Sequence, residues 1–289
     1  MPNIGVVLAG GASKGAYEIG CLRAIEAYFG KDSIKCVSSA SIGALVAQTY
    51  GLGITDVFER IWKNINLKEH GHFILALSGD QDMLNQIGNE LDLIDRVIPF
   101  EHYVSVWNFT QRKVEYIPFH TLTKEKIKKY IRGAIAIPFF SKGELIDGDR
   151  IIDGAFLDNI PAYPLLDKDL DYIFCIYFDN YKYFFETEEF NKKIIKLFDF
   201  PNDKRLEILS FNPGRFDGMV EYGYDYATNV IKELFRSGDK ETIYQAIAEQ
   251  NDKHELAFKP RLTADIVLNN INVMTRRYSR RMSRRTKEV

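Results

Sequence analysis

Runs of apolar residues, broken by glycine and small polar positions, divide the chain into alternating strand and helix patterns. Ile4-Gly5-Val6-Val7-Leu8-Ala9 is continuously apolar, the pattern of a strand buried on both faces. A glycine-rich stretch, Gly10-Gly11-Ala12-Ser13-Lys14-Gly15, follows it. The period then changes to that of a helix through Ala16, Ile19, Leu22 and Ile25. Ile34-Lys35-Cys36-Val37 reads as a second strand and Ala44 to Tyr50 as a second helix, with the small-residue turn Ser39-Ala40-Ser41-Ile42-Gly43 between them. From Thr55 to Arg96 the spacing is helical, with Val57, Ile61 and Ile65 on one face and Leu84, Ile87, Leu91 and Ile94 on another. Tyr103 to Trp107 and Val114 to Ile117 alternate as a hairpin, a structural element with no chemistry of its own. A helix over 123–134, capped by Thr123, comes next. Tyr172 to Phe178 is another buried strand, and 192–198 reads as a helix. Amphipathic helices are predicted through Met219, Tyr222, Tyr226, Val230 and Leu234, over Ile243 to Ala248, and from Thr263 onward.

Composition adds little to this picture until the terminus. The 289 residues are 46% hydrophobic and 27% charged, ordinary for a globular α/β protein with a large core, and the formal net charge of −2 names no partner. The last fourteen residues, however, hold Arg276, Arg277, Arg280, Arg281, Arg284, Arg285 and Lys287 against Glu288 alone. Continued as a helix, they flank an apolar stripe of Met274, Tyr278 and Met282. Such a tail suits an anionic lipid surface, an acidic partner or nucleic acid, or it is a solvated terminus. Cys21, Cys36 and Cys175 sit in apolar contexts without metal-type spacing, as buried thiols do in a reducing compartment. With no leader pattern and no span of roughly 20 apolar residues, the expectation is a cytoplasmic protein that meets membranes only from their surface.

Three short segments carry candidate chemistry. A serine at a strand-to-helix junction is held out on a tight backbone, beside the positive end of the new helix. Ser41 has that setting, with small residues two before and two after it; the plain alternative is a Ser/Gly loop that caps a helix. The loop Gly10 to Gly15 follows a strand and opens a helix, an arrangement that aims backbone N–H groups at an anion. It is no P-loop, since Ala16-Tyr17 stand where such a loop continues. A dinucleotide site, weakened by alanine at position 12, and an oxyanion hole remain. Asp153-Gly154-Ala155 follows the apolar pair Ile151-Ile152, so its carboxylate stands at a strand end; Asp-Gly is also a common turn. Ile137-Pro138-Phe139-Phe140 suits either core packing or the wall of an acyl-chain site.

In this order, the glycine-rich loop, the Ser39-Ala40-Ser41-Ile42-Gly43 elbow and the Asp153-Gly154-Ala155 triplet resemble the patatin-like phospholipases. Ala136-Ile137-Pro138 and Asp158-Asn159-Ile160-Pro161 look like further blocks of that family, and the resemblance covers residues 4–180. It implies a three-layer α/β/α fold with a mainly parallel central sheet and C-terminal helices. A catalytic domain would span 1–200, with a helical insertion at about 55–100, followed by a helical part at 201–274 and the basic tail at 275–289. It also implies a lipid acyl hydrolase of the phospholipase A type with a Ser41–Asp153 dyad, needing no metal or other cofactor. Gly10, Gly11 and Ala12 would form the oxyanion hole, with Lys14, Gly15, Ile42, Gly43 and Gly154 in support. The substrate would be a phospholipid or other acyl-ester lipid at a membrane surface, and nucleic acid would not be a partner. Two positions depart from the family pattern: Ser39 replaces the first elbow glycine, and Ala12 the third loop glycine. A catalytically weak lipid- or protein-binding module and an acyltransferase using the same serine are the alternatives. A Ser-His-Asp triad would order Ser41, Asp153 and His254 as an α/β-hydrolase does.

Overall fold

The computed structural model describes residues 1–64, 88–90, 96–138, 141–178, 182–185, 187–199, 213–236, 238–253 and 258–260. Several expected features lie outside them: the face of Leu84, Ile87, Leu91 and Ile94, the pair Phe139-Phe140, His254, and the terminal helix with its basic tail.

The first apolar run forms β1, Ile4–Leu8, in the middle of the main sheet. It lies parallel to β2, Ile34–Ala40, on one side and to β7, Tyr172–Ile176, on the other. Beyond β2 lies β3, Glu101–Asn108, again parallel. The expected hairpin partner β4, Lys113–Pro118, runs antiparallel to β3. The corner is completed by β5, Glu144–Ile146, and β6, Asp149–Asp153, an antiparallel pair. β8, Lys182–Phe184, pairs with β10, Phe258–Pro260, in a separate small ladder. The far edge of the main sheet is β9, Ile194–Lys196, parallel to β7. That strand overturns the helix read over 192–198. Ile194, Ile195, Leu197 and Phe198 form a short apolar run that no period separates from a buried helix turn. Ladder bonds decide it: Ile173 donates to the Lys193 carbonyl at 2.8 Å and Leu197 to that of Cys175 at 2.9 Å.

One face of the sheet is covered by helices. α1, Gly15–Phe29, and α2, Ile42–Gly51, follow β1 and β2, and α3, Thr55–Asn64, packs on α2. α4, Lys124–Ala134, is capped by Thr123, whose hydroxyl accepts from the Lys126 N–H at 3.4 Å. α5, Glu188–Asn191, is a single turn, while α6, Phe216–Leu234, and α7, Lys240–Lys253, come late in the chain. α6 crosses α1 at backbone contact. A Cβ on Gly20 would stand 2.1 Å from the Val220 carbonyl oxygen, and one on Gly223 2.3 Å from that of Tyr17. The two glycines therefore let a 19-residue helix brace the helix that leaves the glycine-rich loop.

The opposite face is covered more thinly. Val7, Ala9, Ile173 and Cys175 pack under Ile160, Ala162, Leu165 and Leu170, in a segment containing the 3-10 turn Tyr163–Leu165, and under Phe185 and Phe190. The result is a mixed α/β fold with a mostly parallel central sheet, layered on both faces. Among the described residues, no helix is long and apolar enough to cross a membrane.

Candidate active site

Register on β3 brings the two candidate side chains together. Residues 103–108 of β3 are paired on one edge with β4. The other edge is shared: β2 runs along it until Ala40 stands opposite Ser105, and β6 arrives from the other direction until Asp153 stands opposite Val106. Two strands thus end head-on at neighbouring positions of a third, and the residues at their tips must meet. Ser41 donates from Oγ to Asp153 Oδ2 at 2.6 Å, and the two residues are 5% and 3% exposed.

Local geometry holds each of them. Ser41 has φ 53° and ψ −128°, a backbone state that costs a non-glycine residue on the order of 1–3 kcal/mol. It persists because its surroundings leave no alternative. Gly43 passes so near β1 that a Cβ there would stand 2.9 Å from Leu8, and a Cβ on Gly10 would stand 2.8 Å from that of Ser41. On the other strand, the Asp153 N–H donates to the Ala136 carbonyl at 2.9 Å, and Asp153 Oδ1 accepts from the Ala155 N–H at 2.8 Å. Gly154 is needed because any Cβ would lie 2.5 Å from the Ser105 backbone. Burial pushes the Asp153 carboxyl up to about 7, against the hydrogen bonds from Ser41 and Ala155, which favour its anion.

The glycine-rich loop lies over this pair. Gly11 has φ −163°, an extended backbone, and neither Gly10 nor Gly15 has a positive φ. What these glycines supply here is the absence of a side chain. A Cβ on Gly10 would strike Asn159 and Ala155 as well as Ser41, and one on Gly11 the ring of Phe178. Ala12 begins a 3-10 turn, Ala12–Lys14, a right-handed conformation that alanine adopts without strain. Among the described residues, no backbone carbonyl accepts the N–H of Gly10 or Gly11. The Ile42 N–H, at the first turn of α2, has no carbonyl four residues back within the helix. Lys14 Nζ stands 4.8 Å from the centre of the Phe178 ring.

Two polar features behind the site escaped the sequence. Ser39 Oγ lies 2.8 Å from Nε2 of His102, a fully buried side chain on β3 whose Nδ1 is 3.4 Å from Gln48 Oε1. Burial, with the charge of His120 behind it, pushes His102 down to about 3, so its ring is neutral at ordinary pH. The serine that departs from the usual elbow glycine is thereby supplied with a polar partner under the turn. The signal for it in the sequence is weak, a histidine in a strand that also carries Glu101, Ser105 and Asn108. Among the described residues the polar partners of the Asp153 carboxylate are Ser41 and the Ala155 N–H, with no histidine.

The second feature is Glu18, fully buried in α1 four residues after Lys14, with neither carboxylate oxygen hydrogen-bonded among the described residues. Burial raises its pKa well above the usual carboxylate range, and the nearby Lys14 charge opposes that rise only in part. A group that binds its proton more tightly when folded contributes stability at low pH and loses it as pH rises above the unfolded value of about 4.3. Replacing Glu18 with Gln is therefore expected to raise the unfolding midpoint in urea at pH 8, by an amount that shrinks toward pH 4. A gain that grows on acidification would contradict this.

Residues 6–166 match the family model of the patatin-like phospholipases. No curated protein sequence matches the chain. Among solved structures, the fold is similar to VipD from Legionella pneumophila, at 15% identity and a TM-score of 0.48, over 80% of this chain and 67% of that one. It is also similar to the type III effector protein ExoU, at 14% identity and a TM-score of 0.45, over 80% of this chain and 53% of that one. A third similarity is to full-length ExoU in complex with SpcU from Pseudomonas aeruginosa, at 13% identity and a TM-score of 0.42, over 87% and 59% of the two chains. The chain thus spans between half and two thirds of the length of these proteins.

Proposed function

The chain belongs to the patatin-like phospholipase family, and on that premise we propose that it hydrolyses fatty acyl esters of lipids, in phospholipase A fashion, through Ser41 and Asp153. The observation that carries this reading is the 2.6 Å hydrogen bond between a serine held at positive φ and a buried carboxylate raised to about 7. An ordinary aspartate, near 3.9, is a feeble base for a hydroxyl. One raised toward neutrality still ionises at working pH and holds a proton far better.

In the reaction, Asp153 Oδ2 takes the Ser41 proton as Oγ forms a bond to the ester carbonyl carbon. The carbonyl oxygen becomes an oxyanion, which the N–H groups of Gly10, Gly11 and Ala12 receive, with that of Ile42 beside them. Collapse breaks the bond to the alcohol oxygen, which leaves with the proton held on Asp153, as a lysolipid or other alcohol. Water then attacks the acyl-enzyme, giving its proton to Asp153, and the fatty acid departs as Ser41 recovers a hydrogen. Gly15, Gly43 and Gly154 act by permitting close approach, and Lys14 orders the loop or meets a phosphate. No cofactor takes part. The substrate lies in a membrane, and the basic tail at 275–289 adds attraction to anionic lipid, about 1 kcal/mol per basic residue near the surface.

A fluorophosphonate probe tests this reading without any choice of lipid. It labels a serine only where an activated oxygen and an oxyanion hole coincide. The expected result is one adduct, on Ser41, absent from Ser41→Ala and slowed in Asp153→Asn. A folded parent that stays unlabelled would favour the weak binding module.

A further inference from the structure

The β3–β4 hairpin, which by sequence has no chemistry, forms part of a surface that the hydrolase reaction leaves unexplained. Four of the nine large hydrophobic side chains left exposed among the described residues gather there: Phe109 (52%), Leu145 (61%), Phe156 (56%) and Tyr163 (53%). Phe156 stacks on Trp107 at 5.7 Å with the planes 5° apart, Phe109 meets the same indole edge-on at 5.4 Å, and Tyr163 stacks on Tyr116. Register shows that this is one face of the sheet corner. Leu145 stands opposite Arg150, and Ile152 opposite Trp107, so these side chains point the same way, away from α4.

Charge is sorted between the two faces. Glu115, Glu144 and Asp149 alternate onto the helix side, opposite Val106, Ile151 and Ile146. Asp147 is tied to Lys126 of α4 at 2.7 Å. Asp158, on the outer side, is buried and takes the Tyr116 hydroxyl at 2.6 Å. Bordering the apolar face, Arg112, Lys142 and Arg150 make no ion pair among the described residues. Trp107 adds an unmet need: its indole N–H is buried with no acceptor among the described residues, whereas such a donor usually finds one.

Position joins this face to the site. β2 ends at the nucleophile, opposite Ser105, and β3 continues past that point to the hairpin tip at Phe109, about 13 Å further along the strand. Phe156 is three residues from Asp153. The tip therefore projects beyond the strand end at which Ser41 sits, with Asp153, opposite Val106, on the other face of β3 from Trp107. Aromatic rings with a polar handle, aliphatic side chains and surrounding cations are the composition of a surface that enters the headgroup region, to a depth of about 5–10 Å.

We propose that the outer face of the β4–β3–β6–β5 corner seats the enzyme on an anionic phospholipid bilayer. Phe109, Leu145 and Phe156 enter the interface, and Arg112, Lys142 and Arg150 meet phosphates. This rests on the lipid reading of the dyad, and its test separates the two. The full chain carrying Ser41→Ala, so that vesicles stay intact, is mixed with vesicles of phosphatidylglycerol bearing brominated acyl chains. Of the two tryptophans, Trp62 is buried in the core. Tryptophan emission should be quenched on binding, and the quenching should vanish in Trp107→Phe. Phe109→Ser combined with Leu145→Ser should weaken vesicle binding about tenfold or more at an unchanged far-UV spectrum. Binding without quenching of Trp107 overturns the proposal and assigns contact to the tail. Binding to phosphatidylcholine as tight as to phosphatidylglycerol overturns its charge component. A chain that ignores all vesicles overturns it and turns the face toward a protein partner. Acyl release by the parent from the same lipids, without quenching, removes the docking face and leaves the hydrolase; quenching without release by the parent does the reverse.

Discussion

Ser41→Ala is expected to lower acyl release by about 10³- to 10⁶-fold, to the level that binding and the oxyanion loop sustain without a nucleophile. The size of the loss follows from the absence of a substitute. Ser39, the nearest serine in sequence, is fully buried on the strand below, with its hydroxyl on His102. Neither a histidine nor a second hydroxyl reaches the Asp153 carboxylate among the described residues. The fold should survive, since alanine keeps the Cβ that already fits beside Gly10. Loss of the hydroxyl also removes a hydrogen bond that favours the Asp153 anion, so that carboxyl should titrate higher in the variant than in the parent. Hydrolysis of a soluble short-chain ester, measured on protein with an unchanged far-UV spectrum, checks the effect. A residual rate above a tenth of the parent's would remove Ser41 from the nucleophile's role.

Asp153→Asn should cost about 10²- to 10⁴-fold, the span of a positioned base, and should do so while stabilising the fold. In the parent, Asp153 must be ionised to take the serine proton. Activity should therefore rise with pH through a midpoint near 7 and level off above it. Stability runs the other way. Because the folded pKa of about 7 exceeds the unfolded value near 3.9, this group stabilises the fold most below pH 4 and loses that contribution as pH rises to 7. At pH 8 the parent carries a buried anion, at a cost on the order of a few kcal/mol relative to a neutral side chain. Asparagine removes that cost and still accepts the Ala155 N–H. The variant should then melt higher than the parent at pH 8, show no such advantage at pH 4, and keep a flat pH profile for its residual activity. A variant that loses activity and also melts lower at pH 8 would mark Asp153 as structural.

The part of this architecture carried by continuous runs was legible in the sequence. β1, β2, α1 and α2 follow from apolar stretches interrupted by glycine and serine, and the candidate serine and aspartate could be picked out because both follow buried strands. Their meeting could not be read. It depends on β2 and β6 sharing one edge of β3 from opposite directions, a matter of register between segments more than a hundred residues apart. Residues 194–198 failed for a local reason, since an apolar run so short has no period of its own, and pairing with β7 decided its state. The sequence marks the loop glycines without showing that what they supply is the absence of a Cβ. Ala12 then ceases to be an anomaly, because a right-handed 3-10 turn suits it. Phe109 and Phe156 carry no mark in the sequence that separates them from core residues. Only their packing on Trp107, whose face the sheet register sets, reveals where they stand.

The measurement that bears most directly on the account is mass spectrometry of the products released from phospholipid vesicles by the purified parent, Ser41→Ala and Asp153→Asn. Free fatty acid and lysolipid are expected in equal amounts from the parent at pH 8, little from the parent at pH 5, and at least about a hundredfold less of either product from the two variants at pH 8. Fatty acid released at an undiminished rate by either variant would contradict it.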